Sequence, residues 1–192
     1  MTEPSTLQST EPSPSAAFEA RWVFGSLSES LRSEVVALWL REGAIASADE
    51  AWRRSWEVAG VLIDSAHGAI AGACTVAIRL DDTGASYGFV RLFIRPGNRL
   101  LGLNRRLIRK VTDGFDEMAK QPGAPRRLVI TMENRKLERR AAQRGLARLG
   151  FVETGTAANG EVIVERTLGR RDALTEPDRL PADRVSTGHD RA

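Results

Sequence analysis

The sequence predicts a single mixed α/β domain on one central sheet, in the order β-α-α-β-β-β-α-β-α-β-β. Three observations predict it. Apolar β-like runs alternate with amphipathic helical stretches along the chain. The β-rich run Tyr87 to Ile94 stops at Pro96-Gly97, and a long amphipathic pattern begins within a few residues. Two short strands close the order across the turn Ala157-Ala-Asn-Gly160. A length of 192 residues suits one domain with tails.

The elements follow in order. Residues 1–17 are rich in Ser, Thr, Pro and Glu and read as a disordered arm. The first strand is expected over Arg21 to Phe24. Ser26-Leu-Ser-Glu29 offers a capping box, a hydroxyl for an orphan amide and a carboxylate three residues on. The helix behind it presents Leu31, Val35, Leu38 and Trp39 on one face. Ser47-Ala-Asp-Glu50 repeats the box, and Trp52, Ser55, Trp56 and Ala59 are expected along one face of a second helix. Val61 to Ser65 and Ala69 to Leu80 read as strands joined at Ala66-His67-Gly68, with a further turn at Asp81-Asp-Thr-Gly84. After Tyr87 to Ile94, a helix from about Leu100 to Ala119 carries Leu103, Leu107, Val111, Phe115 and Met118 at helical spacing. Pro122 and Pro125 end it. Arg127 to Met132 is a strand and Leu137 to Leu149 a helix stopped by Gly150. Phe151 to Thr154 and Glu161 to Thr167 form the last hairpin. Residues 169–192, rich in Arg, Asp and Pro, read as a disordered tail, which leaves 18–168 as the domain.

Composition narrows the function. One cysteine, Cys74, rules out an internal disulfide and a cysteine-built metal cluster, and two histidines argue against a His-rich metal site. A reducing cytoplasm is the expected location. No apolar run approaches the roughly 20 residues that cross a bilayer. The formal net charge is +3; the tail is neutral, and the basic excess collects in Arg99 to Lys110 and Arg135 to Arg148. That distribution favours an anionic ligand, phosphate in particular. In the second stretch Arg135, Lys136, Arg139, Arg140, Arg144 and Arg148 spread around the helix among Glu133 and Glu138. They read as a solvated face, which argues against a nucleic-acid partner.

The segment from Phe89 to Ile108 carries the chemistry. A strand ends, a Pro-Gly turn follows, and a helix opens. The first turn of a helix has amides without intrahelical partners at the positive end of its dipole, so it can hold a pyrophosphate. Gly102 leaves the backbone bare there, and Arg99 and Arg105 add charge at the rim.

Here the chain resembles the GNAT family, the GCN5-related N-acetyltransferases. The family carries Gln/Arg-x-x-Gly-x-Gly/Ala three residues after a strand-ending proline. Pro96 is followed at that distance by Arg99-Leu100-Leu101-Gly102-Leu103-Asn104, with Leu107-Ile108 after it. Asn104 stands where the family prefers Gly or Ala. A second likeness is Thr131-Met-Glu-Asn134, a helix, then Leu149-Gly150-Phe151. Together they cover roughly Arg21 to Leu168.

The resemblance implies a GNAT-like acyl-CoA N-acyltransferase fold and acetyl-CoA as cosubstrate. It implies diphosphate binding by Arg99, Leu100, Leu101, Gly102, Leu103, Asn104 and Arg105. It also implies pairing of the pantetheine arm with the backbone of Leu92, Phe93 and Ile94, and a place near that arm for Asn134. Asn134 equally suits a helix N-cap.

The implied reaction is direct attack of an amine on the thioester, the acceptor being a small-molecule or peptide amine and the protein a monomer or homodimer. Glu133 and Asn134 are the catalytic candidates, Glu133 as a base; it also suits a solvated strand end. Many members place a Tyr acid four residues before the second-motif Gly; this chain has Leu146. Its one tyrosine, Tyr87, lies on another strand. The alternative is therefore a GNAT-fold pseudoenzyme that binds CoA or a protein partner without catalysis. Cys74 reads as a buried apolar residue rather than a nucleophile. Trp22, Trp39, Trp52 and Trp56 divide between core and acceptor pocket.

Overall fold

The computed structural model describes residues 17–100, 102–132 and 140–169. The predicted arm and tail lie outside these residues except for Ala17 and Gly169, as do Leu101, Glu133 and Asn134.

Seven strands form one sheet in the order β1-β2-β3-β4-β5-β7-β6. They are β1 (Phe18–Trp22), β2 (Val58–Asp64), β3 (Ile70–Leu80), β4 (Ser86–Ile94), β5 (Arg127–Met132), β6 (Val152–Thr156) and β7 (Val162–Thr167). The helices are α1 (Glu29–Arg41), α2 (Ala48–Ser55), α3 (Leu103–Met118) and α4 (Arg140–Ala147). The element order is the one read from the sequence. All neighbouring pairs are antiparallel except β4 and β5.

Two apolar layers sandwich the sheet. On one side α3 lays Leu103, Leu107, Val111 and Phe115 on Leu62, Cys74, Val76, Val90 and Leu128. Trp22 and Phe24 meet Phe115 ring to ring at 5.1 and 5.0 Å. On the other side Val35, Leu38, Trp39 and Ala51 of α1 and α2 cover Val58, Val61 and Ala73. Burial on both faces accounts for the continuous apolar runs of β2 and β3.

Several expected boundaries move for local reasons. The first helix is capped by Ser28, not Ser26: the Ser28 hydroxyl accepts from the Leu31 amide at 3.2 Å. Ser47 caps α2 as expected, accepting from the Glu50 amide at 3.4 Å. That helix stops at Ser55, so Trp56 and Ala59 are not on it. Trp56 is the C-cap, and Ala59 belongs to β2. β1 begins at Phe18 rather than Arg21, because Phe18 to Trp22 pairs along the whole of Asp64 to Gly60. Between Ile94 and α3 the chain makes a 3-10 turn at Pro96–Asn98, which delays the helix to Leu103.

Candidate functional site

The parallel pair β4–β5 is joined only at Tyr87↔Arg127, Gly88↔Leu128 and Phe89↔Val129. Beyond those rungs β4 follows β3 to Ile94, while β5 follows β7 to Met132. The sheet therefore splits, and the split opens at the strand ends from which α3 is reached. Its closed end is clamped. Arg127 donates to Asp81 at 2.6 Å and to Glu165 at 2.9 Å, and its guanidinium lies 5.3 Å from the Tyr87 ring centre. The Asp81 carboxyl is held below its ordinary range, first by the Thr83 hydroxyl and then by backbone amides and Arg127.

The three β4 residues expected to meet an extended ligand are divided by strand alternation. Arg95 donates its amide to Ala71 of the β3 side at 2.8 Å. By the two-residue period, Phe93 also turns its polar backbone groups to β3, while those of Leu92 and Ile94 point into the split. Val90 joins them by the same rule. The Ile94 carbonyl already accepts from Arg99 Nε at 3.1 Å. Arg99 thus ties the loop to the strand end while remaining an exposed residue.

Gly102 is the N-cap of α3 and sits at φ +89°, in the left-handed region. An added Cβ there would meet nothing within 4 Å. Glycine is required by backbone conformation rather than by crowding, and the bare mouth remains open. Leu103 is buried and anchors the helix, and its amide leans on the Leu100 carbonyl at 3.4 Å. The intrahelical ladder begins with Arg106 on Gly102. Between them lie the first-turn amides of Asn104 and Arg105, which helix geometry leaves without backbone acceptors. Asn104 and Arg105 are exposed.

The helix also gathers charge on its β1 side. Arg105, Arg106, Arg109 and Lys110, four cations against the two carboxylates Glu19 and Asp113, line a groove of about 820 Å³ with Ser65 and the start of β1. Arg106 donates to the Phe18 carbonyl at 2.5 Å. The basic stretch seen in the sequence is thus concentrated beside the helix mouth, where it raises the local concentration of anions.

Other sequence candidates separate from this site. Leu146 packs on the α3-side core, and its carbonyl accepts the Phe151 amide in the αL cap at Gly150. Tyr87 lies at the closed end of the split. Cys74 is fully buried opposite Leu92, and burial pushes its thiol up to about 12, so no thiolate is available for attack. Trp22 and Trp39 are core residues, whereas Trp52 and Trp56 are 42% and 71% exposed.

Sequence reasoning missed Glu57. Its side chain is 19% exposed and lies 3.5 Å from Arg91, on β4 just beyond the last β5 rung. No motif marks it, because the pair forms only once β2, β3 and β4 lie side by side.

No protein-family model matches the sequence, and no curated protein matches it. Solved structures do match. A GNAT-family acetyltransferase from Streptococcus pneumoniae superposes with a TM-score of 0.56 at 17% identity, over 79% of this chain and 99% of that one. A GCN5-related N-acetyltransferase from Kribbella flavida gives 0.55 at 15% identity, over 80% and 99%. The ribosomal-protein-S5-alanine acetyltransferase from Vibrio fischeri gives 0.56 at 14%, over 79% and 93%. At such identities the likeness speaks for architecture: this chain has the fold of the GNAT acetyltransferases.

Proposed function

We propose that the chain is an acyl-CoA-dependent N-acetyltransferase that moves an acetyl group from acetyl-CoA to an amine by direct attack. The observation that carries this reading is the split between β4 and β5 opening beside the left-handed, side-chain-free start of α3. A ligand that is a polar amide chain at one end and a diphosphate at the other matches both features. The outward backbone groups of Leu92 and Val90 suit the amide chain. The amides of Asn104 and Arg105 suit the diphosphate, with Arg99 and Arg105 as counter-charges. Acetyl-CoA supplies the activated thioester. The chain's own part is to align it along β4, offer a β4 amide to the carbonyl oxygen as charge develops there, and shield the reacting atoms from water. Glu133 and Asn134 follow β5 in the chain and stand as candidates to work at the same opening.

The acceptor is a small-molecule or peptide amine. Peptide N-termini belong in any screen. One structural neighbour is named an alanine acetyltransferase, and another was solved as the NatC complex bound to Gag peptide and CoA. We place the domain at 18–168, in the cytoplasm.

The test is ligand-dependent stability. Saturating acetyl-CoA raises the melting temperature, and Gly102→Glu, which sets a carboxylate in the helix mouth, abolishes the rise. Thiol release in an amine screen then demonstrates turnover. Absence of both a thermal shift and calorimetric heat with acetyl-CoA refutes the assignment. Binding without thiol release from any amine points to the non-catalytic alternative.

A further inference from the structure

We propose that Glu57 is the group that takes the proton from the acceptor amine, with Arg91 positioning it. The proposal rests on the acetyltransferase reading above and assigns the base of that reaction to a described residue in place of Glu133.

Position comes first. Strand alternation places Val90 and Ile94 against α3, so the intervening Arg91 and Phe93 project to the opposite side of the sheet, where Phe93 packs with the α1–α2 layer. A thioester threaded through the split from the α3 mouth reaches that side next to Arg91, which follows the last β4–β5 rung by two residues. Glu57 meets Arg91 there, with Oε2 at 3.5 Å from Nη1.

The state of the carboxylate comes second. Glu57 Oε2 is closed to solvent and accepts no hydrogen bond among the described residues. Among the described residues, Asp81 and Glu165 are engaged by Arg127, and Glu42 by Arg41 and Arg95. A buried oxygen with spare acceptor capacity is costly to maintain, and such groups concentrate at functional sites.

Its backbone is fixed for the task. The Glu57 amide donates to Arg54 at 3.0 Å, and its carbonyl accepts from Val76 at 2.7 Å. Arg91 is steadied in turn by its place 4.5 Å from the Phe89 ring centre.

The proton balance is complete. An acceptor arriving as an ammonium gives one proton to the Glu57 carboxylate, directly or through a water. The freed nitrogen lone pair forms the C–N bond, the C–S bond breaks, and the sulfur leaves with its electron pair. The remaining excess N–H proton goes to the sulfur, and Glu57 releases its own to solvent.

The test compares wild type, Glu57→Gln and Glu57→Asp with acetyl-CoA and three acceptor probes: phenethylamine, lysine and an Ala-initiated peptide. Glutamine keeps the shape, and the fold uses the Glu57 backbone, so melting temperature and acetyl-CoA affinity should be unchanged. The Gln variant should lose about 100-fold or more in kcat, as removal of a general base does. Its residual rate should climb about tenfold per pH unit until the ammonium deprotonates in solution by itself, and the Asp variant should recover part of the loss. A Gln variant within threefold of wild type, with the same pH profile, overturns the proposal. Failure of wild type to bind acetyl-CoA, or to release thiol with any of the three probes, overturns the acetyltransferase assignment and this proposal with it.

Discussion

Two glycines of the same loop, Gly97 and Gly102, make a paired experiment on why α3 opens as it does. An added Cβ meets nothing within 4 Å at either position. Only Gly102 has positive φ, at +89°. Gly102→Ala therefore carries a conformational cost without a steric one. A left-handed conformation costs an L-residue roughly 1–2 kcal/mol. The lower entropy of the unfolded alanine chain offsets part of it, by about 0.4–1 kcal/mol. A net loss of about 1 kcal/mol lowers the melting temperature of a domain this size by roughly 2–4 °C. Gly97→Ala should stay within about 0.5 kcal/mol of wild type. Thermal unfolding by circular dichroism measures both, and calorimetry with acetyl-CoA reads the second consequence. The methyl at 102 stands in the helix mouth and should weaken binding at least about tenfold, or roughly 1.4 kcal/mol, while Gly97→Ala binds as wild type does. Equal stability of the two variants would refute the conformational account of Gly102. Equal affinity would refute its role as a bare approach to the diphosphate.

Two further outcomes test packing and ionisation. Gly114→Ala drives a methyl into the Trp22 ring, to 2.5 Å from Cδ2 and 2.6 Å from Cζ3, and that ring is held by Phe24 and Phe115. Overpacking of this kind costs about 2–3 kcal/mol; a denaturant midpoint equal to wild type would show that β1 shifts freely. Cys74 should resist Ellman's reagent in the native state at pH 8 and react promptly once the chain is unfolded in guanidinium. Below the ordinary thiol value of about 8.5 it is protonated in both states and adds nothing to stability. Above that value only the unfolded chain ionises, so native stability falls with rising pH until about 12. Fast native labelling at pH 8 would show that the core around it opens readily.

The legible parts of the molecule were those written in short range. Leu103 to Phe115 repeat at helical spacing, Pro96-Gly97 ends a strand, and Gly102 sits where a left-handed cap is needed; each signal lies within a few residues of the structure it specifies. The α2–β2 junction was misread because Val58 to Leu62 is buried on both faces and shows no period, so Trp56 and Ala59 passed for helix. Ser26 and Ser28 present equivalent hydroxyls to a sequence reader, and only the turn at the end of β1 selects the second. The candidate site was half legible. Its phosphate side is a local strand–turn–helix pattern, whereas the Glu57–Arg91 pair joins the turn before β2 to β4, a strand that is not β2's neighbour in the sheet.

The sheet's one parallel seam also has a mechanical meaning. β3 and β4 are stitched by nine register pairs, Gly72↔Ile94 to Leu80↔Ser86, and β4 and β5 by three. Strands β1–β4 and strands β5–β7 are thus two antiparallel plates joined along a short hinge, stiffened at one end by Arg127. A molecule wedged between the plates can spread them by bending that hinge, without shearing any longer ladder. Amide exchange should then be fastest at the seam in the free protein, and should slow there first when the wedge is in place.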